Sequence, residues 1–393
     1  MKINKKNNTW LKQEKVMRNS VEIVSSSPEN SGIIKETLSF KSNDGFTEIL
    51  SKLKITLIVT REYENMIIAL KANNNKIAQS YFPLPHPSGI AIDKVEKRLY
   101  VAATRNPNQI VEFSFFNNSI ERVDNTDIYS NNKILSVSRK KFFPGCFYLH
   151  DLVLLGGKLF ANSVGTNSII EIDLNSNNSY KPVWFPKCVE DVNGNAITNA
   201  NYIQLNSIAA GETLNESFFS ASADKISKLR PGFKNFPVNK KGVIFSGKTR
   251  EPIVFGLTRP HSARLYKGKL WLDNSGYGEF GYVDKNIFCP VIKFPGWTRG
   301  LCFIENIAFI GVSNVLPKFK QYAPGIKNDK QICSIFAFDI EKNKIVGEIS
   351  FPFGNQIFGI EYMKSDDCNG FLYKNLNTDK KNKKAFYYKT LTM

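Results

Sequence analysis

The sequence lacks any hydrophobic run long enough to cross a membrane. Its longest mainly apolar stretches, residues 55–59 and 152–155, are far shorter than the ~20 residues that a membrane-spanning helix needs. The N-terminal positive charges have no apolar segment behind them, so no secretory signal is predicted and a cytoplasmic location is expected. With 42% hydrophobic and 22% charged residues over 393 positions, the chain is expected to be globular.

Paired cysteines and the common catalytic motifs are also missing. The six cysteines include no C-x-x-C pair, and several lie in apolar runs, which favours buried free thiols in a reducing compartment over disulfides or metal ligands. The sequence contains no P-loop, no G-x-S-x-G elbow and no H-E-x-x-H motif. Hydrolysis of nucleoside triphosphates and α/β-hydrolase chemistry are therefore not supported.

Positive charge is abundant, and it is concentrated near the two ends of the sequence. The formal net charge is +18, and residues 1–18 and 374–389 each carry six basic side chains against one acidic one. We predict a basic polar N-terminal arm (1–51), a folded body (52–363) and a basic C-terminal tail (364–393). Such solvated tails would bind nucleic acid only nonspecifically.

β-strand patterns recur along the body, whereas a helical period is confined to residues 8–20. Six segments share one opening, a rim residue followed by a small or acidic residue and then alternating apolar residues. The openings begin at Ser88, His150, Asn206, His261, Arg299 and Phe358. Further strands follow each of the first five, and such units, repeated every ~40–50 residues, are typical of a β-propeller.

The ends of the body complement each other. Residues 55–60, 66–70 and 77–82 resemble the second, third and fourth strands of a blade without a first strand, and residues 359–362 resemble a first strand without a blade. The sequence therefore predicts an all-β, six-bladed propeller closed by strands from both termini, which leaves no free sheet edge. The regular spacing disfavours the alternative, a pair of β-sandwiches.

One segment carries a family resemblance. Residues 256–281 contain P-H-S-x-R followed by L-W-x-x-x-S-G-x-G-E-x-G. This run resembles the signature of a bacterial family of uncharacterised function, whose members are propeller-like and in some cases fused to tetratricopeptide repeats. The resemblance extends over about residues 52–363. The sequence departs from it at Gln204, where the family tends to have histidine, and at residues 356–359, where it tends to have Glu-Ile-Tyr-Asp.

A more distant resemblance lies near the first opening. Residues 86–102 are similar to an element of the six-bladed gluconolactonase-like and strictosidine-synthase-like propellers. This similarity implies the same fold. Ser88 stands where those proteins often have a metal-binding asparagine, so gluconolactonase activity is not implied.

The chain has only three histidines, and all lie at or near strand openings. His150 and His261 occupy the rim position itself, and His86 precedes Ser88 by two residues. Because the first strands of a propeller line its channel, equivalent positions in different blades converge. Imidazole is both a common metal ligand and a proton carrier near neutral pH.

Three interpretations of this circle of rim residues around the channel remain open. In the first, His86, His150 and His261 bind a divalent metal ion. In the second, no metal is bound, His150 and His261 are catalytic acid–base groups and Arg299 is a catalytic anion clamp. In the third, the histidines only hydrogen-bond neighbouring blades. The first two add a substrate-binding set of Asn206, Arg299, Ser88 and Asp151.

The predicted function is binding of a small polar, anionic metabolite in the central channel. The ring of histidines and Arg299 favours an enzyme, a metal-assisted hydrolase, lyase or isomerase. The alternative is a noncatalytic platform that binds a protein partner. Arg264, inside an apolar stretch, is expected to form an interblade ion pair with Asp273 or Glu279 rather than to bind a ligand.

Overall fold

The computed structural model describes residues 35–105, 108–115, 133–143, 145–176, 180–327, 332–371 and 373–374. Six antiparallel sheets of four or five strands follow one another along this part of the chain. They are the blades of a six-bladed β-propeller, which confirms the predicted fold class. No helix among the described residues is long and apolar enough to span a membrane.

The strands follow chain order blade by blade. The chain begins with a 3-10 helix (Lys35–Leu38), β1 (Lys41–Ser42) and α1 (Asp44–Leu53). One blade is built from both early and late strands, and we call it the joint blade. Its early strands are β2 (Ile55–Arg61), β3 (Met66–Asn73) and β4 (Lys76–Pro83). The next contains β5 (Pro87–Asp93), β6 (Arg98–Ala103), β7 (Asn108–Phe115) and β8 (Leu135–Phe143). It is followed by β9 (Leu149–Leu155), β10 (Lys158–Ser163), β11 (Ser168–Ile172) and β12 (Tyr180–Trp184).

The second half repeats this plan. Its first blade contains β13 (Leu205–Ala209), β14 (Phe218–Ala221), β15 (Gly242–Ser246) and β16 (Pro252–Leu257). The next contains β17 (Pro260–Tyr266), β18 (Lys269–Asn274), β19 (Glu279–Asp284) and β20 (Ile287–Lys293). The last contains β21 (Trp297–Ile304), β22 (Ile307–Ser313), β23 (Ser334–Asp339) and β24 (Lys344–Ser350). Then β25 (Gly359–Lys364) and β26 (Tyr373–Lys374) return to the joint blade.

Short 3-10 helices interrupt the connections between strands. They lie at Val164–Thr166, Lys187–Val189, Leu214–Glu216, Ser275–Tyr277 and Pro317–Tyr322. The last of these belongs to a long connection between β22 and β23 that reaches the mouth of the channel.

Burial explains the order of strands within a blade. Every residue of β2 is buried, and its centre, Leu57 to Val59, is apolar, as expected for a strand covered on both faces by neighbouring blades. By contrast, β8 alternates between partly buried and exposed residues, as expected for an outer strand with one face in water. The cores therefore lie between blades, and the inner strands surround the channel.

The first and last strands of the body pair with each other. Strand β25 pairs with β2 from Gly359 opposite Thr60 to Lys364 opposite Ile55. Strand β26 adds to the outer side of the same sheet through β4. These pairings bring distant parts of the chain into a single blade.

The predicted N-terminal arm, residues 1–51, is partly folded. Asn43 caps α1 by accepting a hydrogen bond from the Phe46 amide at 3.0 Å, and Phe46 packs edge-on against Phe309. The described part of this arm therefore packs on the propeller, because α1 buries Phe46 and Leu50. Residues 1–34, the helical period within residues 8–20 and most of the predicted C-terminal tail lie outside the described residues.

Candidate functional site

A cavity of about 380 Å³ lies where the inner strands begin. We call it the channel pocket. Its wall contains the predicted residues His150, His261 and Arg299, together with Arg259 and Tyr322, which the sequence analysis did not single out. Because one strand opening from each blade points to the axis, residues far apart in sequence meet in this pocket.

The residue just before an inner strand often has a left-handed backbone conformation, with a positive φ angle. Its φ angle is 45° at His86, 51° at Tyr148, 49° at Gln204 and 53° at Arg259. Non-glycine residues rarely adopt this region, and such strain tends to persist at functional sites. Tyr148, Gln204 and Arg259 all line the channel pocket. This recurring turn therefore delivers side chains to the channel.

His261 and His150 lie close together, with ring centroids 6.4 Å apart and planes 28° apart. The His261 Nδ1 atom lies 2.8 Å from the Arg259 carbonyl oxygen, which can only accept a hydrogen bond. Nδ1 of His261 therefore carries the proton, and Nε2 carries the lone pair. Burial, followed by the nearby Arg299, lowers the pKa of His261 well below its usual value.

His150 has the opposite tautomer. Its Nδ1 atom lies 3.4 Å from a terminal nitrogen of Arg299, and a guanidinium can only donate. The proton of neutral His150 is therefore on Nε2. Burial, followed by the charges of Arg299 and Arg259, lowers the pKa of His150 well below its usual value. A hydrogen bond with the Asn206 side chain acts in the opposite direction and raises this pKa. Both imidazoles are neutral near pH 7.

Arg299 and Arg259 are buried cations without an ion pair among the described residues. Arg299 is 8% exposed and lies over the Phe358 ring at 3.3 Å. Arg259 is 7% exposed, lies 4.3 Å over Tyr322 and bonds to Gln204, but its Nε atom has no hydrogen-bond partner. Burial lowers the pKa of each to about 10, so both remain charged near pH 7.

Another cation of the channel pocket is neutralised. Arg105 donates to Glu62 across 2.8 Å, and both residues belong to the pocket wall. Glu62 also attracts Arg299, but the wall carries three arginines against this one carboxylate, so the pocket as a whole is positive. This excess is the main electrostatic property of the site.

Asp151, predicted to bind substrate, does not line the channel pocket. Its carboxylate accepts from Arg264 at 2.8 and 3.2 Å and from the Ile208 amide at 3.0 Å. These bonds occupy the carboxylate, so the structure places Asp151 in an interblade ion pair. Arg264 is thus the structural residue expected from the sequence, but its partner is Asp151 rather than Asp273 or Glu279.

Ser88 and Asn206, the other predicted substrate-binding residues, bond across blades instead. The Ser88 hydroxyl donates to the Leu149 carbonyl at 2.7 Å, and the Asn206 amide donates to the Pro260 carbonyl at 2.9 Å. Neither residue lines the channel pocket. Their short side chains are used to join neighbouring inner strands.

His86 is half-buried and does not line the channel pocket. It occupies the left-handed position before β5, two residues away from the position that corresponds to His150 and His261. Within the described ranges, no three His, Cys, Asp or Glu side chains come together as a metal-binding group. Metal binding by His86, His150 and His261 stays a prediction.

The fold and the site together define a six-bladed propeller with a positively charged channel pocket. The chain belongs to the family described as "Domain of unknown function (DUF4915)", which matches residues 44–370. This confirms the predicted family of uncharacterised function. No curated protein matches the chain.

Solved structures show similarity in fold. A chain of a nidogen/laminin complex is 10% identical with a TM-score of 0.51, covering 79% of this chain and 99% of that one. A gluconolactonase from Xanthomonas campestris is 10% identical with a TM-score of 0.42, covering 76% and 86%. The dihydro-heme d1 dehydrogenase NirN is 10% identical with a TM-score of 0.43, covering 80% and 75%. At this identity the comparisons concern the fold alone.

Proposed function

We propose that the channel pocket binds a small anionic metabolite between Arg259 and Arg299. The observation that carries the proposal is that both guanidinium groups are buried without an ion pair among the described residues. Burying an unpaired charge is costly, and an anionic ligand would supply the missing partner. Guanidinium groups bind carboxylates and phosphates through paired hydrogen bonds. The volume of about 380 Å³ suits a small metabolite.

In this proposal, the two histidines exchange protons with the bound ligand. His261 presents the Nε2 lone pair and acts as the base, and neutral His150 presents its Nε2–H as the acid. An anion bound beside Arg259 and Arg299 would offset their charge and raise the pKa of both imidazoles. The base therefore becomes stronger when the ligand is in place. Proton transfer of this kind serves hydrolases, lyases and isomerases.

Charge favours the version of this site without a metal. The guanidinium groups of Arg259 and Arg299 would repel a divalent cation placed beside His150 and His261. The Nδ1 atoms of both histidines already face protein groups. The proposed proton chemistry therefore relies on the side chains of the channel pocket alone.

A protein-interaction platform would be favoured by a dry apolar channel and a continuous exposed apolar face. The described channel pocket instead has arginines and histidines among apolar side chains such as Leu316 and Phe319. Four of the exposed large apolar side chains of the described residues lie on the outer strands of four different blades. These are Phe142 in β8, Phe255 in β16, Ile287 in β20 and Ile345 in β24. These four residues are separated and form no continuous apolar face, whereas Ile226, Leu229 and Phe233 lie in the connection between β14 and β15. The cationic channel pocket therefore remains the main support for the small-molecule site.

Thermal unfolding with a panel of phosphate, succinate, citrate and chloride tests the proposal. At least one multivalent anion should raise the Tm of the parent protein, because binding to the folded state stabilises it. Arg299→Met should lose this rise, yet without anion it should be at least as stable as the parent, because it removes an unpaired buried charge. Arg259→Met is the second variant and should behave alike.

Arg264→Met is the matched control. It leaves the Asp151 carboxylate buried without its partner, so we expect a loss of about 3–5 kcal/mol in unfolding free energy. The rise in Tm caused by anions should persist, because Arg264 does not line the channel pocket. A rise that survives Arg299→Met and Arg259→Met would contradict the proposal.

A further inference from the structure

A second cavity opens beside the channel pocket. Tyr148, Asn201 and Gly232 line both cavities, so the two spaces meet along these residues. The second cavity has a volume of about 470 Å³ and is also lined by Thr198 and Arg230. We call it the side groove. A ligand too long for the channel pocket can extend past Tyr148 into this groove.

The side groove is lined by amide and hydroxyl groups. Asn199 accepts from the Tyr202 hydroxyl at 3.1 Å, and Asn201 accepts from the Gln204 amide at 2.9 Å. Both carboxamide oxygens are therefore engaged, which leaves the two NH₂ groups to donate to a ligand. The Thr198 side chain, exposed to solvent, adds a hydroxyl to the same wall. The groove thus offers mostly uncharged hydrogen-bonding groups.

Two exposed aromatic rings flank these polar groups. Tyr148 is 38% exposed and Phe233 is 42% exposed, and both line the side groove. The Arg230 guanidinium lies 4.9 Å from the centroid of the Phe233 ring. Flat apolar faces beside amide and hydroxyl groups match a sugar ring, which has C–H faces and hydroxyl edges. The wall of the groove therefore fits a polyhydroxylated ring better than an aliphatic chain.

We infer that the site takes an acidic sugar, with its carboxylate or phosphate between Arg259 and Arg299 and its ring in the side groove. The binding of the anionic end rests on the proposed function, and the lining of the side groove adds that the ligand is a sugar. Uronic acids and sugar phosphates share this chemistry. Each joins a polyhydroxylated ring to a group that a guanidinium binds.

Isothermal titration calorimetry with two pairs of probes tests the inference. Inorganic phosphate is compared with glucose 6-phosphate, and glycolate with glucuronate, so that each pair shares its anion and differs by the sugar. In at least one pair the sugar-bearing probe should bind about tenfold tighter. Phe233→Ala combined with Arg230→Ala should remove that gain and leave the short anion unchanged. Phe255→Ala, which changes an exposed phenylalanine on β16 outside the side groove, is the control and should change neither.

The outcomes separate this inference from the proposed function. Short and sugar-bearing probes of equal affinity would overturn the acidic sugar and leave the anion site standing. A sugar-dependent gain that survives the double variant would also overturn the role of the groove. Failure of all four probes to bind would count against the inference and the anion site together.

Discussion

Alternation along the inner strands decides which side chains reach the channel. His150 and Asp151 are adjacent, and because successive side chains of a strand point to opposite faces, only one of them can line the channel pocket. The scarcity of histidine made His150 and His261 predictable from the sequence. Arg259 was not predictable in this way, since its place depends on a left-handed turn that arginine rarely adopts.

Replacing His261 with glutamine should reduce the loss of stability in acid. The unfolded imidazole has a pKa of about 6.5, and the pKa of folded His261 lies well below that value. Between the two values only the unfolded chain binds the proton, so stability falls as the pH drops below about 6.5. Urea unfolding at pH 7 and pH 5 should show that His261→Gln loses about 1–2 kcal/mol less than the parent.

The comparison must be made between parent and variant because other groups titrate in the opposite sense. Burial raises the pKa of Glu361 to about 7 and that of Asp273 well above its usual value. Their protonation stabilises the folded state as the pH falls, and it is common to both proteins. Equal losses in parent and variant would show that His261 is not held as a neutral imidazole.

At the scale of elements, asparagines at or just before the start of the third strand of a blade hold the segment that leads to the next inner strand. Asn108 accepts from the Tyr148 amide at 2.8 Å, and Asn167 accepts from the Tyr202 amide at 2.8 Å. The strands themselves were predictable, because apolar alternation is a local signal. The connection that carries Tyr322 was not, since its course depends on contacts distant in sequence rather than on periodicity.

Asn167→Ala should destabilise the protein and loosen residues 197–202. The Asn167 side chain is fully buried and also donates to the Ile197 and Ala200 carbonyls at 2.9 and 2.7 Å. Leaving these groups unsatisfied should cost about 2–4 kcal/mol in unfolding free energy. Hydrogen exchange should rise in residues 197–202. The exposed Asn175→Ala is the control, and a similar effect of the two changes would contradict this role.

For the whole molecule, closure of the ring fixes the geometry of the site. Inner strands approach closely, since a Cβ on Gly89 would lie 2.5 Å from the Asp151 Cα. Strand openings on six inner strands must therefore keep their spacing if Arg259 and Arg299 are to hold one ligand. Six blades could be counted from the sequence because the repeat recurs with regular spacing. The packing of α1 on β24 could not be predicted from the sequence, since a single helix of 10 residues gives only a short periodic pattern.

Deleting residues 359–393 should open the ring and abolish cooperative unfolding. The deletion removes β25, which pairs with all but the last residue of β2 and buries Ile360 and Met363. Without it, β2 has an unpaired edge and the adjacent interblade cores lose apolar contacts. We expect a loss of more than about 5 kcal/mol, which is much of the stability of a typical domain. Deleting only residues 375–393 is the control and should leave urea unfolding, followed by tryptophan fluorescence, unchanged. A protein without β25 that unfolds cooperatively at the parent's urea midpoint would show that the blades hold together without this strand.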